Sequence, residues 1–237
     1  MLVIPKPIAY FPMRNSSKDW SGNNNHGVDT AIAYAKGAKF NGTSSRIATV
    51  ANALLSPTTY TISLWVKPLA FSGSDANIFI CNGTYPSQKY QFRCLSDAST
   101  DTANRRCLMV GWGDGSTWRN YKSSQKLSPY IWQHCVLSWD GTYIKIYYQG
   151  KLVSISTMAG DPAASTSNVV NIGAEVGGTN YFQGVLNEVM IFNKALTAQQ
   201  INILYNYSRN KASYRLNFIN AIAQANARNS NFLQFFN

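Results

Sequence analysis

The sequence predicts an all-β sandwich that is followed by one short helix and a tail. Segments of roughly five to nine residues rich in Val, Ile, Tyr, Thr and Trp recur between clusters of Gly, Asn, Ser and Asp, from about residue 8 to residue 192. Hydrophobic residues make up 45% of the 237 residues and charged residues 13%. This balance favours a packed domain over a disordered chain or a coiled coil.

The strand pattern is clearest in two regions. In residues 59–67, apolar side chains alternate with Thr, Ser, Trp and Lys, which predicts a strand with one face in the core. Residues 132–139 run into Asp140-Gly141, a pair suited to a two-residue hairpin turn because both positions tolerate positive φ. An antiparallel meander is predicted to continue over residues 143–149 and 152–157.

The last strand and the helix are predicted near residue 200. Residues 185–192 carry apolar side chains on both faces, which predicts a strand that is covered on both sides. Thr197 and Gln200 have the spacing of a capping box, in which each side chain satisfies a free amide at a helix start. Apolar residues at helical spacing then predict a helix from about 198 to 208 that packs on the sandwich.

The charge distribution restricts the partners. The net charge is +11, but the 21 basic residues are spread along the chain rather than gathered on one element, which argues against nucleic acid as a partner.

No run reaches the roughly 18 apolar residues of a membrane span. The N-terminus lacks a basic region and is broken by Pro5 and Pro7, so we expect synthesis in the cytosol without a signal peptide.

The cysteines and the acidic residues argue against several kinds of chemistry. Cys81, Cys94, Cys107 and Cys135 are too far apart for a C-x-x-C site, and we expect them to be reduced and buried in strands. Glu175 and Glu188 are the only glutamates, and neither has an acidic residue two positions away. Glycosidases need paired carboxylates, and the sequence also lacks a G-x-S-x-G elbow, so we expect no enzyme activity.

A series of short motifs runs through the chain in a fixed order: Asp19-Trp20-Ser21-Gly22-Asn23, Lys39-Phe40-Asn41-Gly42, Tyr60 to Pro68, Trp139-Asp140-Gly141, Tyr181-Phe182-Gln183-Gly184 and Leu186-Asn187-Glu188-Val189. Together, over roughly residues 9 to 208, they resemble the laminin-G-like branch of the concanavalin A-like lectin/glucanase superfamily. The resemblance implies two antiparallel sheets in a jelly roll spanning residues 1–208, with rim loops that bind sugars, proteins or calcium.

The same resemblance implies a calcium site. Relatives hold the ion with oxygens from an early Asp/Asn/Gly loop and a carboxylate in a late strand, and Ca²⁺ takes six to eight oxygen ligands. Asn187 stands where the pattern usually has Asp, and losing that charge weakens the site. Calcium is still the one cofactor that the resemblance implies. Its candidate ligands are Asp19, Asn23, Asn25, Asn187 and Glu188.

A glycine-rich stretch over residues 111–121 is the candidate sugar site. Aromatic faces among glycines would stack on sugar C–H surfaces, and neighbouring polar side chains would bind the hydroxyls. The alternative is that these residues alternate in and out of a hairpin and pack locally. The candidates are Trp112, Asp114, Trp118, Arg119, Asn120 and Tyr121.

Residues 209–237 form a basic, aromatic tail without Gly, Pro or acidic residues. Its end would expose a large apolar patch, so we expect it to dock either on its own sandwich or on another chain. The docking residues are Phe232, Leu233, Phe235 and Phe236.

These features together favour a non-catalytic structural or binding module, displayed on a larger assembly such as a virion as a decoration or fibre protein, and binding carbohydrate. The alternative is a free-standing carbohydrate-binding lectin. A glycoside hydrolase with an unrecognised site is the third hypothesis.

Overall fold

Two antiparallel sheets stack face to face in the computed structural model, which describes residues 3–72, 75–84, 87–157, 162 and 168–209. The strands are β1 (Ala9–Phe11), β2 (Gly27–Thr30), β3 (Ala33–Tyr34), β4 (Ala38–Asn41), β5 (Arg46–Thr49), β6 (Tyr60–Pro68), β7 (Ala76–Asn82), β8 (Tyr90–Leu95), β9 (Cys107–Gly113), β10 (Trp118–Lys126), β11 (Gln133–Trp139), β12 (Tyr143–Tyr148), β13 (Lys151–Thr157), β14 (Val170–Ile172) and β15 (Gln183–Phe192).

The order of the strands defines a back sheet and a front sheet. The eight-stranded back sheet runs β13-β12-β11-β6-β15-β4-β3, with β1 paired to β15. The seven-stranded front sheet runs β10-β9-β8-β7-β14-β5-β2. Many of these neighbours are distant in sequence, as in a jelly roll, so the predicted two-sheet architecture is confirmed.

The main core fills the space between the sheets. Side chains alternate along each strand, so every second side chain enters this core. In β6, Ile62, Leu64 and Val66 enter this core, whereas Trp65 points to the outer side. The predicted strands over 59–67, 132–139, 143–149, 152–157 and 185–192 correspond to β6, β11, β12, β13 and β15, with shifts of one or two residues at their ends.

Strand β15 is covered on both faces, as predicted. Val189 and Ile191 belong to the main core, while Met190 and Phe192 belong to a second apolar cluster on the outer side of the back sheet. Helix α1 (Ala198–Arg209) supplies Ile201 and other residues to that second cluster. The helix therefore packs on the back of the sandwich.

The capping box at the start of α1 forms as predicted. The backbone N–H of Thr197 donates to Gln200 Oε1 over 2.9 Å, and the backbone N–H of Gln200 donates to Thr197 Oγ1 over 3.2 Å. The helix itself ends one residue later than predicted. Phe232, Leu233, Phe235 and Phe236 lie outside the described residues, and the boundary at residue 208 stays a prediction.

The four cysteines are free and buried, as expected. Within the described part of the chain, no helix has the length and apolar character needed to cross a bilayer.

Candidate functional site

The outer surface of the front sheet, here called the front face, carries an unusual set of polar side chains. Strand β8 places Tyr90, Phe92 and Cys94 in the main core. Because side chains alternate along a strand, Gln91 and Arg93 point to the front face. The front face is thus built by the same alternation that fills the core.

The Trp118 ring packs against the neighbouring strand on this face. Trp118 pairs in register with Gly113, and its six-membered ring occupies the space where a side chain at Gly111 would begin. Only glycine at position 111 leaves room for the indole in this orientation. Trp118 is half-buried, so one part of its ring system is held by the protein and the rest meets solvent.

Arg93, on β8, supports the Trp118 ring from two strands away. The guanidinium carbon lies 5.5 Å from the ring centroid, within the range of a cation–π contact. Arg93 Nη1 also lies 3.8 Å from Asp75 Oδ2. Burial lowers the pKa of Arg93, while the charges of Asp75 and Glu175 oppose that shift. The guanidinium nevertheless stays a cation at every physiological pH.

Two buried polar atoms on the front face lack hydrogen-bond partners among the described residues. They are Arg93 Nε, a donor, and Gln91 Oε1, an acceptor. Leaving such groups unpaired costs about 1–3 kcal/mol each. Gln91 Nε2, in contrast, donates to Glu175 Oε1 over 2.7 Å. The front face therefore retains one unused donor and one unused acceptor next to an aromatic ring.

Glu175 forms the edge of the site opposite Trp118. In addition to Gln91, its carboxylate accepts hydrogen bonds from Thr179 Oγ1 over 2.7 Å and from Asn180 Nδ2 over 2.8 Å. These donors fix the carboxylate in place. In this arrangement it acts as an acceptor that orients Gln91.

The structure divides the predicted sugar-binding residues. Trp118 and Asn120 alternate onto the front face of β10, and Asn120 is exposed. Trp112 is a correction: it is 3% exposed and belongs to the main core, because strand alternation turns it inward. Tyr121 also turns inward, and its hydroxyl lies 2.9 Å from Ser154 Oγ.

Asp114 and Arg119 shape the β9–β10 hairpin instead of the face. Asp114 Oδ1 accepts from the backbone N–H groups of Thr117 and Ser116, and these bonds hold the pKa of Asp114 below its usual value. Arg119 Nη2 lies 3.1 Å from Asp114 Oδ2. Both side chains therefore stabilise the turn that carries Trp118.

Sequence reasoning missed Gln91, Arg93 and the contact with Glu175. A signal for the first two was present, because Tyr-Gln-Phe-Arg-Cys-Leu over residues 90–95 alternates apolar and polar side chains. No local signal could join Gln91 to Glu175, which lies 84 positions away in the chain.

The five predicted calcium ligands do not form one coordination shell. The Asp19 carboxylate accepts four hydrogen bonds from Tyr10, Ser21 and Asn25, and it organises its own loop. Asn23 and Asn25 each donate a side-chain N–H to the carbonyl of Ile8.

The late-strand ligands lie apart from this loop. Glu188 Oε2 accepts from the hydroxyl of Tyr10 over 2.6 Å, whereas Asp19 binds the backbone N–H of the same tyrosine. Asn187 donates to the carbonyl of Lys36. Calcium ligands must all lie about 2.3–2.6 Å from one ion, and carboxylates at opposite ends of a tyrosine do not meet that condition. In the described ranges, no group of three His, Cys, Asp or Glu residues could hold a metal.

The two glutamates lie on opposite outer surfaces of the sandwich. Glu175 binds Gln91 on the front face, and Glu188 lies in β15 beside Trp65, on the outer side of the back sheet. They cannot flank one glycosidic bond, which requires carboxyl groups about 5–9.5 Å apart.

Solved structures with the same fold include a domain in complex with a sugar. Domain 4 of AbnA, a GH43 extracellular arabinanase from Geobacillus stearothermophilus, in complex with arabinotriose, aligns with a TM-score of 0.68 and 24% identity, covering 84% of this chain and 98% of that domain. A structure of botulinum neurotoxin type C, whose cell entry depends on interaction with two ganglioside molecules, aligns with a TM-score of 0.65 and 15% identity.

The toxin matches are partial. This chain spans about half of the toxin chains: 85% of this chain aligns with 51% of the type C chain and with 51% of the serotype D binding domain, the latter at 18% identity and a TM-score of 0.63. No curated protein sequence matches this chain. At these identities the similarity describes the fold.

A family model gives the relationship by sequence. The model, a laminin G type described as the concanavalin A-like lectin/glucanases superfamily, matches residues 41–202, more than half of the chain. That range includes β5 to β15 and with them every front-face residue described above. The chain therefore belongs to the concanavalin A-like lectin/glucanases superfamily.

Proposed function

We propose that the chain is a non-catalytic carbohydrate-binding module and that the sugar binds on the front face. The observation that carries this proposal is the Trp118 ring, which packs on Gly111 and is supported by the Arg93 guanidinium. A flat, half-buried aromatic ring in a fixed orientation is suited to the C–H surface of a sugar ring.

The polar groups around the ring match sugar hydroxyls. A hydroxyl both donates and accepts, so it can pair with polar side chains that solvent reaches. Arg93 Nε and Gln91 Oε1 are buried and leave that role to exposed side chains. Asn120 adds an exposed amide next to Trp118. The structural similarity to an arabinanase domain in complex with arabinotriose supports the same ligand class.

We propose that the module is non-catalytic because of where its two glutamate carboxylates lie. Glu175 and Glu188 lie on opposite outer surfaces, and Glu175 is held by three hydrogen-bond donors. Hydrolysis needs a proton donor and a nucleophile or base on the same side of the sandwich. The test is an assay for reducing sugar released from arabinan or glucan. Activity in the wild type that is lost in Glu175→Gln or Glu188→Gln would reject this part of the proposal.

Isothermal titration calorimetry with arabinotriose and a panel of plant and microbial oligosaccharides tests the binding site. We expect Trp118→Ala to weaken binding about tenfold or more, since each tenfold corresponds to about 1.4 kcal/mol. Trp20→Ala is the matched control, because Trp20 is 45% exposed and lies in the loop before β2, outside the front face. Equal binding by both variants would remove Trp118 from the site.

We also propose that residues 209–237 attach the module to a larger assembly such as a virion. Phe232, Leu233, Phe235 and Phe236 support this attachment, because four large apolar side chains within five residues would favour docking wherever they are exposed. The native mass of the full chain should exceed one subunit or shift with an assembly partner, and deletion of residues 210–237 should abolish the effect. A monomeric full chain that still binds sugar would instead be a free-standing lectin.

A further inference from the structure

A cleft opens on the outer surface of the back sheet, on the opposite side of the sandwich from the front face. It has a volume of about 440 Å³, within the range of small-molecule sites. It lies beside the last turn of α1 and is here called the back cleft. Three aromatic residues, Trp65, Trp132 and Tyr205, line it together with polar side chains that include Asn187, Glu188 and Gln149.

The aromatic walls of the back cleft are held in fixed orientations. The rings of Trp65 and Tyr205 stack with centroids 5.8 Å apart and an interplanar angle of 19°. Trp65 Nε1 donates to Ser208 Oγ over 2.7 Å. Tyr205 lies on Gly150, where an added side-chain carbon would be 2.9 Å from Tyr205 Cδ1. A ligand would therefore meet a preorganised surface.

Three residues that line the back cleft have backbone angles in the left-handed region. Glu188 and Gln149 each have a φ of +50° and Lys36 a φ of +57°, a region that residues other than glycine rarely adopt. The side chain of Asn187, next to Glu188, donates to the carbonyl of Lys36 over 3.2 Å. Such strain costs about 1–3 kcal/mol per residue and is concentrated at functional sites.

The strain at Glu188 has a local cause in β15. The pairing of β15 with β6 shifts between Asn187 and Met190, which marks a β-bulge. A bulge changes the direction of the side chains next to it and is common beside binding sites. Here it brings the Glu188 carboxylate, only 2% exposed, to the wall of the cleft.

A buried histidine behind the aromatic wall is also incompletely bonded. The His134 ring lies 5.3 Å from the Trp65 ring and 5.7 Å from the Tyr205 ring, centroid to centroid. His134 Nε2 lies 2.9 Å from Ser63 Oγ, whereas Nδ1 has no partner among the described residues. The protein thus tolerates several unfavourable features around one cleft.

We propose that the back cleft is a second binding site, selective for a single neutral sugar ring. The cleft holds one cation, Lys36, and one carboxylate, Glu188, so its formal charge is zero and it favours neutral ligands over charged ones. The aromatic walls fit the C–H face of the ring, and the amides of Gln149 and Asn187 fit its hydroxyls.

The inference goes beyond the proposed function because it gives the module two sites on opposite outer surfaces. Stacked sheets are about 10 Å apart, so the front face and the back cleft cannot contact the same sugar ring. The module would cross-link two glycan chains. The residues of the two sites do not overlap, so each can be inactivated separately.

Saturation-transfer difference NMR on the full chain tests the back cleft. The probes are arabinose, glucose, galactose and N-acetylglucosamine, with glucuronate and tetramethylammonium as charged comparisons. We expect at least one neutral sugar to receive saturation in the wild type and in Trp118→Ala. That signal should fall at least fivefold when Trp132→Ala is added to Trp118→Ala. Saturation of the charged probes alone, no saturation of any neutral sugar in Trp118→Ala, or an equal signal in Trp118→Ala with and without Trp132→Ala would overturn the inference.

A second measurement uses the unsubstituted chain, so its result does not depend on whether a variant folds. In ¹H–¹⁵N spectra of the unsubstituted chain, the indole N–H signals of Trp65 and Trp132, assigned with Trp→Phe variants, should shift when the active sugar is added. The signal of Trp20 should not. If the Trp65 and Trp132 signals stay fixed while the Trp118 signal shifts, only the front face binds sugar and the inference is wrong. If the Trp65 and Trp132 signals shift while the Trp118 signal stays fixed, the front-face proposal is wrong and the back cleft remains a sugar site.

Discussion

The Trp118 indole occupies the space that a side chain on Gly111 would need, one strand away. This contact orients the only half-buried aromatic ring that the 111–121 stretch presents on the front face. We expect Gly111→Ala to displace the ring and weaken sugar binding about tenfold, the equivalent of about 1.4 kcal/mol. Calorimetry with the tightest ligand found for the wild type measures the effect.

Thermal unfolding serves as the control for Gly111→Ala. Trp118 is half-buried and can move toward solvent, so the unfolding midpoint should fall by only a few degrees. If Gly111→Ala binds as the wild type does, the orientation of Trp118 is irrelevant to the site.

Much of the fold was predictable because its signals are local. Alternation identified β6 and β15, and the spacing of Thr197 and Gln200 located the helix start. The Asp140-Gly141 pair located the β11–β12 hairpin, although the connection includes Thr142 and only Gly141 has a positive φ. Each of these features depends on residues within one element or its turn.

The candidate site was less predictable because it depends on register between distant strands. Trp112 and Trp118 have similar glycine-rich surroundings, and only the pairing of β9 and β10 decides that the first points inward and the second outward. The partners of Trp118, Arg93 on β8 and Gly111 on β9, become visible only after the strands are ordered. In the same way, the two motifs that contain Asp19 and Glu188 predicted one calcium site, but the fold does not bring the two carboxylates into one coordination shell.

The capping box should contribute measurable stability. Thr197→Ala removes the hydroxyl that accepts the Gln200 N–H, and loss of a helix cap costs about 1 kcal/mol. We expect a lower midpoint of urea unfolding for Thr197→Ala and a nearly unchanged midpoint for Thr197→Ser, which keeps the hydroxyl. Equal destabilisation by both variants would show that the methyl group matters and the cap does not.

His134 should make the stability of the fold depend on pH in the acidic range. Complete burial lowers the pKa of His134 from 6.5 to about 3. The unfolded chain binds a proton below pH 6.5 and the folded chain does not, so stability present above pH 6.5 is lost as the pH falls toward 3. The slope from this residue is at most about 1.4 kcal/mol per pH unit.

Variants of the two histidines isolate this effect. His134→Gln cannot titrate and keeps a polar group for Ser63, so its stability should fall less steeply between pH 6.5 and 4 than that of the wild type. His26→Gln is the matched control, because His26 is exposed. Identical pH slopes for wild type and His134→Gln would mean that another group controls the acid response.

The cysteines should be unreactive until the sandwich opens. Cys81, Cys94, Cys107 and Cys135 are all buried and free. Burial raises the pKa of Cys81 to about 12 and also raises the pKa values of the other three thiols, so almost no thiolate exists at neutral pH. Because the thiolate is the nucleophile, Ellman's reagent should titrate four thiols in guanidinium chloride and fewer than one in the native chain within minutes. Rapid reaction of one native thiol would identify a strand that opens locally, and Cys107→Ser would show whether that strand is β9.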